Sequence, residues 1–149
     1  MIHPARIPDK PALGAADAGM REASGATYWE SLAEARLPSF EIPLWRTYCD
    51  RIHQAWILRR TGPIRFARTL KTDLFEEALG NGLADDLLRS SEHVVGIDVS
   101  PSIVSRASLR HPALQARIAD TRALPFPDQS FDRIVSISTL DHFESRAEL

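Results

Sequence analysis

Residues 93–107 read HVVGIDVSPSIVSRA. The first six form an apolar run without regular polar alternation, which suits a parallel strand buried on both faces. Ser100 and Pro101 then make a helix start, with serine as N-cap and proline at the first helical position. That helix carries Ile103, Val104 and Ala107 and stops before Pro112. A strand leading directly into a capped helix is the repeating unit of an α/β sheet.

The same grammar extends in both directions. Upstream, residues 67–73 (ARTLKTD) are a first strand and residues 83–90 (LADDLLRS) a helix. Downstream, residues 114–120 (LQARIAD) are a third strand, residues 125–128 (PFPD) a turn, and residues 131–138 (FDRIVSIS) a fourth strand. A last helix begins near Leu140. Alternating strands and helices predict a Rossmann-like, doubly wound, mainly parallel α/β sheet. Right-handed crossovers place helices on both faces.

Ahead of the sheet, residues 1–20 are rich in Pro, Ala and Gly and are expected to be a disordered lead-in. Residues 21–65 are expected to be a helical segment. Within it Trp45, Tyr48, Cys49, Ile52 and Trp56 recur at helical spacing, and Thr61-Gly62-Pro63 ends the run. Packing into the core is the expected role of Trp45 and Trp56; the other reading is that they and Trp29 line a ligand pocket.

Composition removes several classes. The 149 residues are 44% hydrophobic and 26% charged, as in ordinary globular proteins. Net charge is −2, which favours neither nucleic acid nor an anionic membrane. No run approaches the roughly 20 apolar residues of a membrane span. The single cysteine, Cys49, cannot form an intrachain disulfide and fits a reducing compartment. With no signal-peptide pattern at the start, a cytoplasmic location is expected. The five histidines are scattered, so no metal site is expected.

Two acids close equivalent strands. Asp98 ends the second and Asp120 the third. In a nucleotide-binding α/β fold an acid at the first of these places accepts from both ribose hydroxyls. The alternative is that Asp98 only helps cap the helix opening at Ser100. An acid at the second place can accept from the exocyclic amine of adenine; the alternative is a solvated strand end.

The wording of residues 94–107 (VVGIDVSPSIVSRA) and 118–143 (IADTRALPFPDQSFDRIVSISTLDHF) resembles the class I S-adenosylmethionine-dependent methyltransferases, and among them the type 11-like group. The resemblance covers roughly residues 66–149. It implies a partial S-adenosylmethionine-binding methyltransferase domain there, with strand order 3-2-1-4. It also implies Asp98 on the ribose, Asp120 on the adenine amine, and Thr121 offering backbone near the ring. Ser136, in the fourth-strand run, joins the expected cofactor contacts on the same ground. Family sheets have seven strands, so the chain is expected to be C-terminally truncated. Its exposed fourth strand would then invite self-association.

The first motif departs from the family pattern of an acid followed by G-x-G-x-G. Here the run is LKTDLFEEALGNGLADDLL. Either Asp73 takes the first glycine position, or Gly80 and Gly82 are the later two glycines with Ala78 and Glu76 ahead of them. The KTDLFEEA wording resembles a bacterial subset with an altered loop. Asp73, Glu77, Gly80 and Gly82 are therefore candidate contacts to the methionine part of the cofactor; the plain alternative is that the glycines form a turn. His142, beside Asp141, is a candidate general base near the transferred methyl; the alternative is a helix-start residue.

The expected function is methyl transfer from S-adenosylmethionine to a small-molecule acceptor, with no nucleic-acid or membrane partner. Two other classes compete. A nicotinamide-dependent oxidoreductase would share the second-strand acid but needs G-x-G-x-x-G, which is absent. A non-catalytic nucleotide-binding or interaction remnant is the other.

Overall fold

The computed structural model describes residues 44–137 together with Thr27, Trp29, Glu30, Ser31, Glu34, Thr139 and Leu140. Helix α1 spans Leu44–Thr61, followed by strand β1 (Phe66–Lys71) and the short helices α2 (Phe75–Leu79) and α3 (Ala84–Ser90). Strand β2 (Ser91–Asp98) leads into helix α4 (Pro101–Arg110), then strands β3 (Gln115–Ile118) and β4 (Arg133–Val135). The four strands form one sheet in the order β3-β2-β1-β4, and every pairing is parallel. This is the expected Rossmann-like arrangement.

Alternation along β2 divides the core between the two faces. Val94 packs with Leu74, Ala78, Leu83, Leu87, Ile103 and Ala107 beneath the helices. Val95 and Ile97 join Leu70 on the other face, with Ala119, Phe126 and Phe131 against them. Gly96 lets the β1 turn sit close: a Cβ there would lie 2.4 Å from Leu74 Cδ2. The helix start read from Ser100-Pro101 forms as expected, and Ser100 Oγ accepts from Ile103 N.

Arg133 ties β4 to its neighbours. Its guanidinium is buried over the Phe66 ring and donates to the hydroxyls of Thr69, Ser90 and Ser91 at 2.8–2.9 Å. Burial pushes its pKa below the ordinary arginine range despite the nearby Asp132 charge. Asp132 accepts from the Ala67 and Arg68 amides, each at 2.8 Å.

Three expectations change. The third and fourth strands are shorter than their apolar runs, because pairing stops where the chain turns into the loops that follow. Residues 75–79, expected as loop, form helix α2. The α1 stripe is not core: Trp45 and Trp56 are largely exposed, and the helix instead buries Ile57. At ~100° per residue, Ile57 lies about 120–130° round from the centre of the stripe, so the periodicity was right but a different face meets the core.

Candidate functional site

The carboxyl ends of β1, β2 and β4 converge on one edge of the sheet. There β2 delivers Asp98. Its Oδ1 accepts from Ser100 N and its Oδ2 from Leu74 N, both at 3.0 Å. The helix-capping role of Asp98 is therefore present in the structure, and it joins the β1 turn to the β2 turn. Burial pushes the Asp98 carboxyl above the usual carboxylate range; the two amide bonds oppose this, and the nearby Asp73 charge adds to it.

The β1 turn is organised by Lys71, whose side chain is buried in the protein interior. A lysine at the end of a buried strand requires acid partners, because an isolated ammonium in apolar surroundings is prohibitively costly. It has two. Nζ donates to Asp73 O at 2.7 Å and to Asp73 Oδ1 at 3.0 Å. Glu77 Oε2 lies 3.0 Å away, a close ion pair rather than an aligned hydrogen bond. Burial alone would lower the Lys71 pKa, but the charges of Asp73 and Glu77 raise it above the ordinary lysine range.

Asp73 has its second oxygen turned the other way. Thr139 Oγ1 donates to Asp73 Oδ2 at 3.3 Å and lies 3.0 Å from the Thr72 hydroxyl. Thr72 N in turn donates to Val135 O at 3.1 Å. The β1 turn is thus residues 72–74, with Asp73 at its centre.

Gly80 and Gly82 lie after α2, away from the Asp73–Asp98 pair. Gly80 O pairs with His111 Nε2 at 3.0 Å. His111 caps the far end of α4, whose first turn holds Ser100, so ten helical residues, ~15 Å, separate the two places. Gly82 is packed against Glu77: a Cβ there would sit 2.4 Å from Glu77 Oε1, and its φ is +48°. Glu77 Oε1 also accepts from Leu83 N at 2.9 Å. Glu77 and the two glycines build the turn from α2 into α3, behind Lys71.

The remaining expected residues are spread around the same edge. Asp120 follows β3 but is held by Arg122, with Nε contacts of 3.0 and 3.1 Å, and that side chain lowers its pKa. Thr121 is half-buried in the adjoining turn, and Ser136 is exposed just past β4. Asp141 and His142 lie outside the described residues. Glu30, which sequence reasoning missed, reaches the start of α4: its Oε2 accepts from Ser100 Oγ and from Ser102 N. Burial raises the Glu30 pKa, but these serine contacts outweigh it and leave it lowered.

The convergent set is rich in acceptors. Asp73 and Asp98 are close enough for their charges to repel, and Lys71 is spent on the inner side of the turn. A ligand placed between them is favoured if it brings positive charge and hydroxyl or amine donors.

Comparison with known proteins agrees. Residues 76–149 match the family model described as "Methyltransferase domain", beginning just after the altered β1 turn. The chain is 28% identical over 115 residues to a Mycobacterium tuberculosis protein named "Probable S-adenosylmethionine-dependent methyltransferase", covering 76% of this chain and 39% of that one. A similarly named protein of Mycolicibacterium smegmatis is 29% identical over 77 residues, covering 51% of this chain and 30% of that one. The chain thus spans about two fifths or less of the length of these relatives. Among solved structures, the N-methyltransferase NodS of Bradyrhizobium japonicum, in complex with S-adenosyl-L-homocysteine, superposes with a TM-score of 0.62 at 16% identity, over 80% of this chain and 61% of that one. CalS10, an amino pentose methyltransferase of Micromonospora echinaspora, gives 0.55 at 18% identity, over 74% and 48%. No helix among the described residues is long and apolar enough to cross a membrane. Residues 76–149 thus match the methyltransferase-domain family, and the named relatives and the shared sheet order support a class I S-adenosylmethionine-dependent methyltransferase.

Proposed function

We propose that this chain binds S-adenosylmethionine at the carboxyl ends of its strands and serves methyl transfer to a small-molecule acceptor. The observation that carries the reading is the pair of mutually repelling carboxylates, Asp73 and Asp98, at neighbouring strand ends. The donor set fits the group: a ribose diol offers two hydroxyls to Asp98, and the methionine part offers a cationic ammonium to Asp73. An anionic pyrophosphate, as a nicotinamide cofactor carries, would meet Asp73 where a dinucleotide site places glycine and a helix N-terminus. That disfavours the oxidoreductase reading.

Bound there, S-adenosylmethionine would supply an electrophilic methyl group on its sulfonium. The work of this chain is then orientation. Asp98 fixes the ribose, Lys71 fixes the Asp73 carboxylate, and Asp120 and Thr121 border the adenine. Ser136 and Thr139 line the β4 side. His142, beside Asp141, is the proposed base for the acceptor. Holding the acceptor in line matters most, since ~1 Å of misplacement costs on the order of a hundredfold. A cytoplasmic setting and self-association through β4, the end strand of the sheet among the described residues, belong to the same reading.

The test is release of S-adenosylhomocysteine from S-adenosylmethionine in the presence of candidate small-molecule acceptors. Acceptor-dependent release that disappears in Asp98→Ala supports the proposal. Hydride transfer from NADH by a chain that ignores S-adenosylmethionine overturns it.

A further inference from the structure

Helix α1 is amphipathic, with its apolar stripe turned outward. Its inner side carries Ile57 into the core, and Gln54 Nε2 donates to Gly82 O at 3.2 Å. Its outer side presents Leu44, Trp45, Tyr48, Ile52 and Trp56, each between 48% and 90% exposed. At ~100° per residue these five fall within one third of the helix circumference, and Arg51 and Arg60 flank them on either side. Arg60 lies over the Trp56 ring at 5.5 Å, so a guanidinium stands at the rim of the apolar stripe. Trp45 and Tyr48 stack at 5.7 Å in a tilted pair.

Charge singles out the same segment. Residues 44–65 contain five arginines (46, 51, 59, 60 and 65) and one acid, Asp50, for a net +4. The whole chain is −2, so the remainder is net acidic while this helix and its exit are net basic. At the helix exit, Leu58 of α1, Ile64 and Arg65 border an open groove together with Arg89, which is paired with Asp86. Exposed aromatic rings bordered by arginine suit the headgroup level of a bilayer, where the ring body is apolar and its edge is wet. A protein partner would be expected to bring its own acids; a lipid surface supplies negative charge along the whole length of the helix.

We propose that α1 lies in the plane of an anionic bilayer surface, with Trp45, Tyr48, Ile52 and Trp56 in the headgroup region and Arg51, Arg59 and Arg60 on lipid phosphates. This requires no membrane-crossing segment and does not depend on which cofactor the strand ends hold.

The experiment is cosedimentation of the chain with vesicles of phosphatidylcholine mixed with phosphatidylglycerol, and of phosphatidylcholine alone. Tryptophan emission is recorded alongside, and circular dichroism serves as the folding control. Expected are binding to the mixed vesicles only, weakening with added salt, and a blue shift of emission. Arg59→Glu with Arg60→Glu should reduce partitioning about tenfold or more, since each basic residue near such a surface contributes measurably. Trp45→Ser with Trp56→Ser should abolish the blue shift although Trp29 remains. A folded chain that stays unbound at low salt overturns the proposal, as does equal binding to neutral vesicles. So does a dimer, lost in the tryptophan variant, whose stripe ignores vesicles: that stripe would be an interface between copies of this chain.

Discussion

The turns after β1 and β2 lie side by side at one edge of the sheet, and they are built by different means. The β2 turn uses a carboxylate and backbone amides: Asp98 gathers Ser100 N and Leu74 N, and Ser100 caps α4. The β1 turn uses side-chain charge: buried Lys71 draws Asp73 and Glu77 around itself. The first device depends on residues within a few positions of one another and on turn chemistry that recurs across α/β proteins. The second holds the turn with an ion-paired cluster, and it works only if every charge is present.

That difference sets the largest expected effect. Lys71→Met leaves Asp73 and Glu77 facing each other in the interior, and breaking a buried pair in this way costs about 3–5 kcal/mol. Urea denaturation of the variant reads the loss. Because the Lys71 pKa is raised in the folded protein, its contribution is complete below the ordinary lysine range and fades only as pH rises through the raised value. The gap between wild type and variant should therefore be constant from neutral to mildly alkaline pH. A variant as stable as wild type would show that the β1 turn does not depend on charge.

The β2 turn should respond in binding more than in stability. Asp98→Ala removes hydrogen bonds to a charged acceptor and should weaken S-adenosylhomocysteine by about 1.5–3 kcal/mol in a calorimetric titration. Burial raises the Asp98 pKa, so its ionised form costs stability at neutral pH, and that cost is relieved as pH falls through the raised value. In the proposed site the ligand's ribose hydroxyls would need the ionised form. Wild-type affinity should therefore begin to fall above the usual carboxylate range on acidification, with no such inflection in Asp98→Ala.

Gly82→Ala separates packing from ligand contact. The added Cβ would meet Glu77 Oε1 at 2.4 Å on a left-handed backbone, so a stability loss of about 1–3 kcal/mol is expected. Cofactor affinity of the folded variant should be unchanged; a loss of affinity without loss of stability would return Gly82 to the cofactor loop. The smallest effect belongs to Arg122→Ala. The Arg122–Asp120 pair is largely exposed and is worth under about 1 kcal/mol, so stability should hold and affinity should stay level or rise slightly as Asp120 is freed.

What could be read from the sequence follows the same division. Ser100-Pro101 and the apolar run before Asp98 announced β2 and α4, because capping and strand burial are local. The strand order came with the resemblance. The α1 stripe was visible but its direction was not, since periodicity gives a face and not what the face meets. Lys71 is a residue that could have been found: a lysine closing an apolar strand, with acids two and six positions on, asks for a partner. The packing of Gly82 against Glu77 was not legible, because glycine spacing alone does not say whether the backbone meets a ligand or a neighbouring side chain. Glu30 on Ser100 spans seventy positions, and no local pattern points to it.

The central claim is that the strand ends of this chain accept S-adenosylmethionine or its demethylated product. Isothermal titration of the chain with S-adenosylhomocysteine, beside a parallel titration with NADH, tests it most directly. The account predicts saturable binding of S-adenosylhomocysteine at one site per chain, weakened in Asp98→Ala, and no heat from NADH. A folded chain that gives no heat with S-adenosylhomocysteine, or that binds NADH in its place, would contradict it.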